Sequence, residues 1–458
     1  MRLMSPADAM FLLPESSDQY MHVGGLEVFE LPEGADAGWV RQLYDRMVGV
    51  EEVAPLFRQR ASHSLATLGA WAWEADPDLD VEHHVRHSAL PTPGRVRELL
   101  ALISRLHGTP LDRHRPLWES HVIEGLVGNR FAVYTKFHHS LMDGVSAMRL
   151  LESSLSTDPA TRDMAPPWAP RPRPERPSSP GPDGNRWSEG LARAARATAD
   201  IVEVGPSLAR LATRTVLNQT GLAAPPPRTI FNVGITGSRR YAAQTWPLDK
   251  VRSVASASGT TVNDVILAMS SSAIRRYLAS LDELPDAPLV AMVPISLRSR
   301  AQGGGSGNAL GVILCNLATD VADPVKRLEV IHDSMQCGKD TLSELTPAQI
   351  LAMSAVAVAP LVPATLAMGY QVSRPSFNLV ISNIPGPSGP LYYDGARLQG
   401  MYPLSIPTHG QAMNITVTSY DGGLHFGLTG CRRTVPHLQH LLTHLDTGLS
   451  ELHDALVT

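Results

Sequence analysis

The pattern of apolar and polar positions predicts strands and helices in both halves of the chain. Residues 131–137 (FAVYTKF) alternate and are rich in strand-forming side chains, and residues 144–155 then show apolar positions at helical spacing. Further along, residues 262–278 (VNDVILAMSSSAIRRYL) predict a helix, whereas residues 288–297 (PLVAMVPISL) and 311–320 (GVILCNLATD) predict strands. This mixed order predicts α/β layers in each half.

A cluster of prolines separates the predicted N-terminal and C-terminal parts of the chain. Nine of the 37 prolines fall between Pro159 and Pro182, in a segment in which we expect no apolar group to pack. We therefore predict an N-terminal domain at residues 1–155, a linker at 156–186, a helical connection at 187–240 and a C-terminal domain at 241–458.

A second feature is the 29-residue uncharged stretch at 345–373. Its length matches a membrane span, but Pro360 and Pro363 interrupt it, and prolines remove helix hydrogen bonds that lipid cannot replace. Both a pair of buried or interfacial helices and a true span are open at this point.

Composition excludes several classes of protein. The 458 residues carry only 18% charged side chains against 43% hydrophobic ones, with a net charge of −5, so binding to nucleic acid is not expected. Three scattered cysteines provide neither a disulfide framework nor a paired zinc site. The first residues lack the continuous apolar region of a secretory signal. We expect a cytoplasmic protein with apolar surface to cover.

The strongest candidate for chemistry is HHSLMDG, residues 138–144, between the predicted strand and helix. A neutral imidazole can accept a proton from an alcohol and return it to a leaving group, and consecutive residues at a strand end point in opposite directions. His138 and His139 therefore have different roles. Two other interpretations of this motif are possible besides catalysis: a structural histidine pair, and a metal site formed by the two histidines and Asp143. No G-x-S-x-G nucleophile elbow is present.

HHSLMDG fits the HHxxxDG motif of the CoA-dependent acyltransferase superfamily, and its surroundings resemble the bacterial wax ester synthase/diacylglycerol acyltransferase family. The resemblance spans nearly the whole chain in ordered blocks: SPADAMFL with MHVGGLEVFE, HHVRHSALPTPG (83–94), PLDRHRPLWESHVIEGL (110–126), TVNDVILA (261–268), VPISLR (293–298), SNIPGP (382–387) and NITVTSYDGGLHFGL (414–428). It implies a mixed α/β fold with two similar chloramphenicol-acetyltransferase-like domains that enclose a central tunnel.

The resemblance also implies a mechanism. His139 is the general base that deprotonates an acceptor hydroxyl, which attacks the thioester of acyl-CoA directly without an acyl-enzyme. His138 is structural, and Asp143 braces the loop through backbone amides or a cation, for which Arg298 is the candidate. Gly144 is expected to let the backbone turn without a Cβ clash. Gly144 and Asn263 are our candidates for substrate or oxyanion binding.

Three further segments have structural interpretations. Residues 116–118 (PLW) predict core packing beside the catalytic strand, and Ser382 and Asn383 predict a tight turn before Pro-Gly-Pro. Where the family suggests acidic residues near the C-terminus, this chain has Cys431 and His437.

The predicted function is transfer of a long-chain acyl group from acyl-CoA to diacylglycerol, a fatty alcohol or both, with no cofactor and no metal. The expected location is cytoplasmic, peripheral to the inner membrane or to lipid droplets. Two alternatives are an acyltransferase for polyketides or other lipid alcohols, and a lipid-binding protein of the same fold without activity.

Overall fold

A computed structural model describes residues 1–63, 69–171, 220–222, 225–296, 310–343, 345, 349–350, 353 and 375–458. Arg298, the predicted linker beyond residue 171, the first part of the predicted helical connection and nearly all of the uncharged 345–373 stretch lie outside the described residues. Within the described ranges, no helix is both long and apolar enough to cross a membrane.

Strands and helices are interspersed along both halves. The strands are β1 (Arg2–Leu3), β2 (His22–Glu30), β3 (Gln59–His63), β4 (Trp71–Ala75), β5 (Val85–Ala89), β6 (Trp118–Leu126), β7 (Arg130–His138), β8 (Arg239–Pro247), β9 (Val290–Ser296), β10 (Leu310–Asn316), β11 (Leu379–Ile384), β12 (Tyr392–Tyr393), β13 (Ala396–Leu404), β14 (Met413–Tyr420) and β15 (Gly423–Cys431). The helices are α1 (Pro6–Ala9), α2 (Trp39–Val48), α3 (Val81–His84), α4 (Val96–His107), α5 (Gly144–Ser153), α6 (Leu248–Ser258), α7 (Val262–Ala279), α8 (Pro324–Ser343) and α9 (His440–Leu456).

The strands that the pattern predicts are confirmed at β7, β9 and β10, and the helices at α5 and α7. In β7 the polar positions Thr135 and Lys136 are as buried as their apolar neighbours, so the strand is covered on both faces. Helix α7 is buried along nearly its whole length, as its weakly amphipathic sequence requires.

Two six-stranded mixed sheets form the framework. The first has the order β12-β13-β2-β7-β6-β5 and the second the order β10-β9-β11-β14-β15-β8, while β1, β4 and β3 form a small separate sheet. Most neighbours are antiparallel, but β5 runs parallel to β6, and β11 runs parallel to both β9 and β14. The expected mixed α/β class with two similar halves is confirmed.

One strand pair of the first sheet comes from late in the chain. β13 pairs antiparallel with β2, from Arg397 opposite Glu30 to Leu404 opposite Gly24. The predicted domain boundaries stay a prediction, but residues 392–404, which we assigned by position to the C-terminal domain, complete the sheet of the N-terminal half.

The first part of the predicted linker is packed. Trp168 is fully buried, stacks on Trp118 with ring centroids 5.2 Å apart, and donates its indole N–H to the Met47 carbonyl at 3.1 Å. The expectation that no apolar group packs in this segment is therefore wrong for residues 156–171. The burial of a tryptophan offsets the cost of ordering the chain around the neighbouring prolines.

The two halves meet along α4 and β8. The Ser104 hydroxyl accepts the Tyr241 N–H at 2.9 Å, and the His107 Nε2 lies 3.0 Å from the Ser405 carbonyl oxygen. At the N-terminus, Asp18 accepts the Gly237 N–H at 3.1 Å through its carboxylate and Arg239 at 2.8 Å through its carbonyl. These bonds bring the segment before β2 into contact with the second half.

Candidate active site

The paired histidines lie where β7 ends. β7 pairs with β2 up to His138 opposite His22, and the next N–H, that of His139, donates to the Met21 carbonyl at 2.7 Å. The main chain of both histidines is thus held by sheet-type hydrogen bonds, and their side chains leave the sheet in opposite directions.

The His138 side chain is fully buried, and the groups that contact its ring nitrogens are polar. Its Nδ1 accepts the Ser140 N–H at 3.1 Å and lies 2.7 Å from the Ser140 hydroxyl. Because Nδ1 accepts a backbone N–H, the ring proton is on Nε2, which lies 3.4 Å from the Glu15 carboxylate. The structure therefore gives His138 contacts that fix the motif loop.

The His139 imidazole is half-buried beneath an aromatic ring. Phe11 stacks on it with ring centroids 4.1 Å apart and planes inclined by 25°. Burial lowers the pKa of His139 to about 4, against the opposing effect of the Asp143 carboxylate, because the charged ring loses its hydration. At neutral pH this imidazole is uncharged and able to accept a proton.

Asp143 caps the helix that follows the motif. It is the N-cap residue of α5, and its Oδ1 accepts the Ser146 N–H at 2.6 Å. Its Oδ2 is buried and has no hydrogen-bond partner among the described residues. The predicted cation, Arg298, falls outside those residues, so this pairing stays a prediction.

Gly144 is the first residue of α5, and the reason we gave for a glycine there is wrong. It is not among the glycines with positive φ, and a Cβ at this position would meet no atom within 4 Å. The turn into the helix therefore does not require glycine. The missing side chain leaves open space beside the first N–H of the helix.

The second half places Asn263 at the start of α7. Its side-chain oxygen accepts the Asn383 NH₂ group at 3.4 Å. The prediction of a turn at Ser382 and Asn383 is wrong, because both residues belong to β11 and pair with β14 through Asn383 opposite Val417. Parallel pairing with β14 extends the strand to Ile384, and the chain leaves the sheet only at the proline.

Asp264, beside Asn263, is fully buried and forms a capping box with Thr261. The Thr261 N–H donates to Asp264 Oδ2 at 3.0 Å, and His332 Nδ1 lies 2.8 Å from the same oxygen. The start of α7 is thus tied to α8.

Sequence reasoning missed three residues around the histidines: Phe11, Glu15 and Arg113. The Glu15 carboxylate accepts two hydrogen bonds, from Arg113 Nε at 2.7 Å and from the Met21 N–H at 3.3 Å. Arg113 lies in the block 110–126 that carries the family resemblance, whereas Glu15 lies between the first two blocks, where a charge next to an apolar run was the available signal.

The interpretation of residues 116–118 as core is confirmed. Leu117 and Trp118 are fully buried, and the Trp118 indole donates to the Phe57 carbonyl at 2.9 Å. Near the C-terminus, Cys431 is the buried last residue of β15, and His437 has a left-handed backbone conformation with φ of 53°. Burial raises the Cys431 thiol pKa, but hydrogen bonds from Thr236 and Thr434 outweigh it and lower that pKa to about 7.

In the parts of the chain that the structure describes, no group of three His, Cys, Asp or Glu side chains is arranged to hold a metal ion.

Comparison with known proteins gives the family. The sequence model of the wax ester synthase/diacylglycerol acyltransferase catalytic domain matches residues 4–266, and the model of the C-terminal domain of that family matches residues 306–453. A Mycobacterium tuberculosis protein named "probable diacylglycerol O-acyltransferase" is 49% identical over the full length of both chains. The O-acyltransferase WSD of Acinetobacter baylyi is 41% identical over 97% of this chain and 96% of its own.

Solved structures agree with this assignment. The wax ester synthase/diacylglycerol acyltransferase of Marinobacter aquaeolei matches with a TM-score of 0.81 at 42% identity, covering both chains completely. The first condensation domain of the CDA synthetase, at 18% identity and a TM-score of 0.58, shares the fold alone. The chain therefore belongs to the wax ester synthase/diacylglycerol acyltransferase family and is an O-acyltransferase.

Proposed function

We propose that the protein transfers a long-chain acyl group from acyl-CoA to the hydroxyl of diacylglycerol, of a fatty alcohol or of both, with His139 as general base. The observation that carries the proposal is the environment of His139: its ring is stacked under Phe11 with the pKa lowered by burial to about 4, and its N–H is bonded to Met21, the residue before β2. The names of the M. tuberculosis and Marinobacter relatives support the acceptors.

The proton moves twice in this scheme. The neutral His139 ring takes the proton of the acceptor hydroxyl while that oxygen forms a bond to the thioester carbonyl carbon. When the carbon–sulfur bond breaks, the imidazolium returns the proton to the CoA sulfur. No bond to the protein forms, and the reaction needs no cofactor beyond acyl-CoA as a co-substrate.

The negative charge on the carbonyl oxygen needs hydrogen-bond donors in the intermediate. We propose two of them. The Gly144 N–H is one of the unpaired donors of the first turn of α5 and lies beside open space. Asn383 donates to the Asn263 oxygen, which leaves the Asn263 NH₂ group as a donor. The tunnel between the two halves is part of the same proposal.

Contact with a lipid surface, at the inner membrane or a lipid droplet, is also proposed. Met10 and Leu13 are 55% and 63% exposed on either side of Phe11, the residue that stacks on His139. Two large exposed apolar side chains next to the residue that covers His139 suit an enzyme whose acceptor is dissolved in lipid. Flotation with liposomes of anionic phospholipid tests this contact. Loss of flotation in Met10→Ser/Leu13→Ser supports it, and flotation equal to wild type contradicts it.

The base assignment is tested with palmitoyl-CoA and hexadecanol or dioleoylglycerol. His139→Ala should lower kcat by roughly 10²- to 10⁴-fold. His440→Ala, at an exposed position of α9, is the matched control and should keep wild-type kcat. Wild-type kcat in a folded His139→Ala would refute the base assignment.

The absence of an acyl-enzyme has a separate test. Ser140 is the hydroxyl nearest to a motif histidine, 2.7 Å from His138 Nδ1, and would be the site of such an intermediate. Intact-mass measurement after incubation with palmitoyl-CoA alone should show no acyl adduct. An adduct that disappears in Ser140→Ala would overturn direct transfer.

The acceptor is tested by comparing dioleoylglycerol, hexadecanol and a polyketide diol with the same acyl-CoA. Product with either of the first two supports the proposal. Product with the diol alone would favour the polyketide alternative. No product with any acceptor, in a folded protein that binds palmitoyl-CoA, would favour the lipid-binding alternative.

A further inference from the structure

We propose that Glu15 and Arg113 are a positioning pair that fixes both motif histidines and so sets the rate of acyl transfer. The pair touches neither reacting group in this scheme and acts through the geometry of His139. The inference rests on the proposed role of His139 as the base.

The first contact orients His138. Glu15 Oε1 lies 3.4 Å from His138 Nε2, the ring nitrogen that carries the proton because Nδ1 accepts the Ser140 N–H. The ring is therefore held by hydrogen bonds at Nδ1 and faces a carboxylate at Nε2. Through Ser140, the same ring fixes the first residue of the turn that leads from the histidines to α5.

The second contact reaches the main chain of His139. The same Glu15 Oε1 accepts the Met21 N–H at 3.3 Å, and the Met21 carbonyl accepts the His139 N–H at 2.7 Å. One carboxylate oxygen thus faces the His138 ring and holds the residue to which His139 is bonded. Displacement of Glu15 moves both histidines together.

Arg113 supplies the third contact and the charge. Its Nε donates to Glu15 Oε2 at 2.7 Å, and its Nη2 donates to the Leu12 carbonyl at 2.6 Å. Leu12 follows Phe11, whose ring stacks on His139. The Arg113 guanidinium therefore holds two groups. One is the Glu15 carboxylate beside the histidines, and the other is the segment that places the Phe11 ring on His139.

The pair has a defined charge state. Burial raises the pKa of Glu15, but the His138 ring and the Arg113 guanidinium beside the carboxylate outweigh burial, so that the pKa is lowered. The carboxylate side chain is 8% exposed, whereas Arg113 is 39% exposed. A buried carboxylate that loses its cation is left uncompensated, and the segment before β2 must then rearrange.

The expected effect is on turnover. Misplacement of a catalytic group by about 1 Å costs about 10²-fold in rate, while substrate binding depends on other contacts. We expect Glu15→Gln and Arg113→Gln to lower kcat by roughly 10- to 100-fold and to leave the KM for palmitoyl-CoA and for hexadecanol within about twofold of wild type. Arg113→Lys keeps the charge without the planar fork and should recover part of the loss.

The decisive experiment is steady-state kinetics of these variants and of the double variant, with thermal melting of each. If the two residues act as one unit, Glu15→Gln/Arg113→Gln loses no more than the worse single variant. Arg397→Gln removes an exposed ion pair with Asp421, 3.0 Å long, and is the control that should keep wild-type kcat.

Three outcomes decide the proposal. Wild-type kcat in folded Glu15→Gln and Arg113→Gln overturns it, as does a loss confined to KM. If Glu15→Gln does not fold, Arg113→Gln alone decides, since the Arg113 side chain is partly exposed. In a His139→Ala background, Glu15→Gln should cause no further loss. Retained activity in His139→Ala would refute the base assignment itself, whereas an inactive His139→Ala with an active Glu15→Gln refutes only the positioning pair.

Discussion

The end of β7 and the start of α7 each place an aspartate at the beginning of a helix and close to a histidine, but the two aspartate–histidine pairs make different contacts. Asp143 caps α5 and acts on His139 only through its charge. Asp264 caps α7 and is also within hydrogen-bond distance of His332 Nδ1, at 2.8 Å.

The difference decides what each histidine is able to do. The His139 ring is stacked under Phe11, and burial keeps it neutral, so it is available as a base. The His332 ring is bonded to a fully buried carboxylate that also caps the helix, so it joins α8 to α7. A histidine beside an aspartate is therefore no sign of a catalytic base unless the contacts of the aspartate are known.

The largest expected contrast is in rate. His139→Gln should lower kcat by roughly 10²- to 10⁴-fold, because glutamine accepts no proton at neutral pH. His332→Gln keeps a donor for Asp264 and should change kcat by less than about threefold. Both are measured with palmitoyl-CoA and hexadecanol. Equal losses of kcat in the two variants would contradict the distinction between His139 as base and His332 as a structural residue.

The contrast reverses for stability. Asp264→Ala removes a fully buried carboxylate with contacts to Thr261 and His332, and should lower the free energy of unfolding by about 3 kcal/mol. Asp143→Ala removes an N-cap and should cost about 1 kcal/mol. Urea unfolding at pH 7 compares the two, and a larger cost for Asp143→Ala would contradict the assignment of Asp264 as the more structural residue.

Acid should destabilise the protein through neutral buried histidines. Burial lowers the pKa of His107 to about 3 and those of His139 and His425 to about 4. Each binds a proton in the unfolded chain near pH 6.5 but not in the folded one. Their contribution to stability is therefore complete above about pH 6.5 and is lost as the pH falls towards 4.

Urea unfolding at pH 7, 6 and 5 measures this loss, with a slope of roughly 1 kcal/mol per pH unit for each histidine. His107→Asn should reduce the slope. Stability that does not vary with pH over this interval would contradict the burial of these rings in neutral form.

Glu27 should produce a smaller effect of opposite sign. It is 4% exposed on β2 between Val133 and Met401, and burial raises its pKa to about 8. The folded protein retains a proton that the unfolded chain releases near pH 4.5, so this stability is present below pH 4.5 and lost as the pH rises through 8. In Glu27→Gln, stability between pH 6.5 and 8 should become independent of pH. If Glu27→Gln loses stability with rising pH as the wild type does, another group causes that loss.

The sequence predicts the elements whose pattern is local. β7, α5 and α7 follow from alternation and helical spacing, and the two histidines follow from their place between a strand and a helix. The contacts around them do not, because Glu15 and Arg113 lie 98 positions apart and meet only when β2 and β7 pair. Asn383 was assigned to a turn because prolines follow it, although parallel pairing with β14 keeps it in a strand.

The insertion of residues 396–404 between β2 and β12 has a consequence for how the chain is made. On the ribosome, β2 and β7 emerge hundreds of residues before β13, so β2 stays an open sheet edge until almost the whole polypeptide has been synthesised. A chain cut short by premature termination would leave this edge uncovered. The stability of the first half therefore depends on completion of the whole chain. Truncated products are expected to aggregate or be degraded.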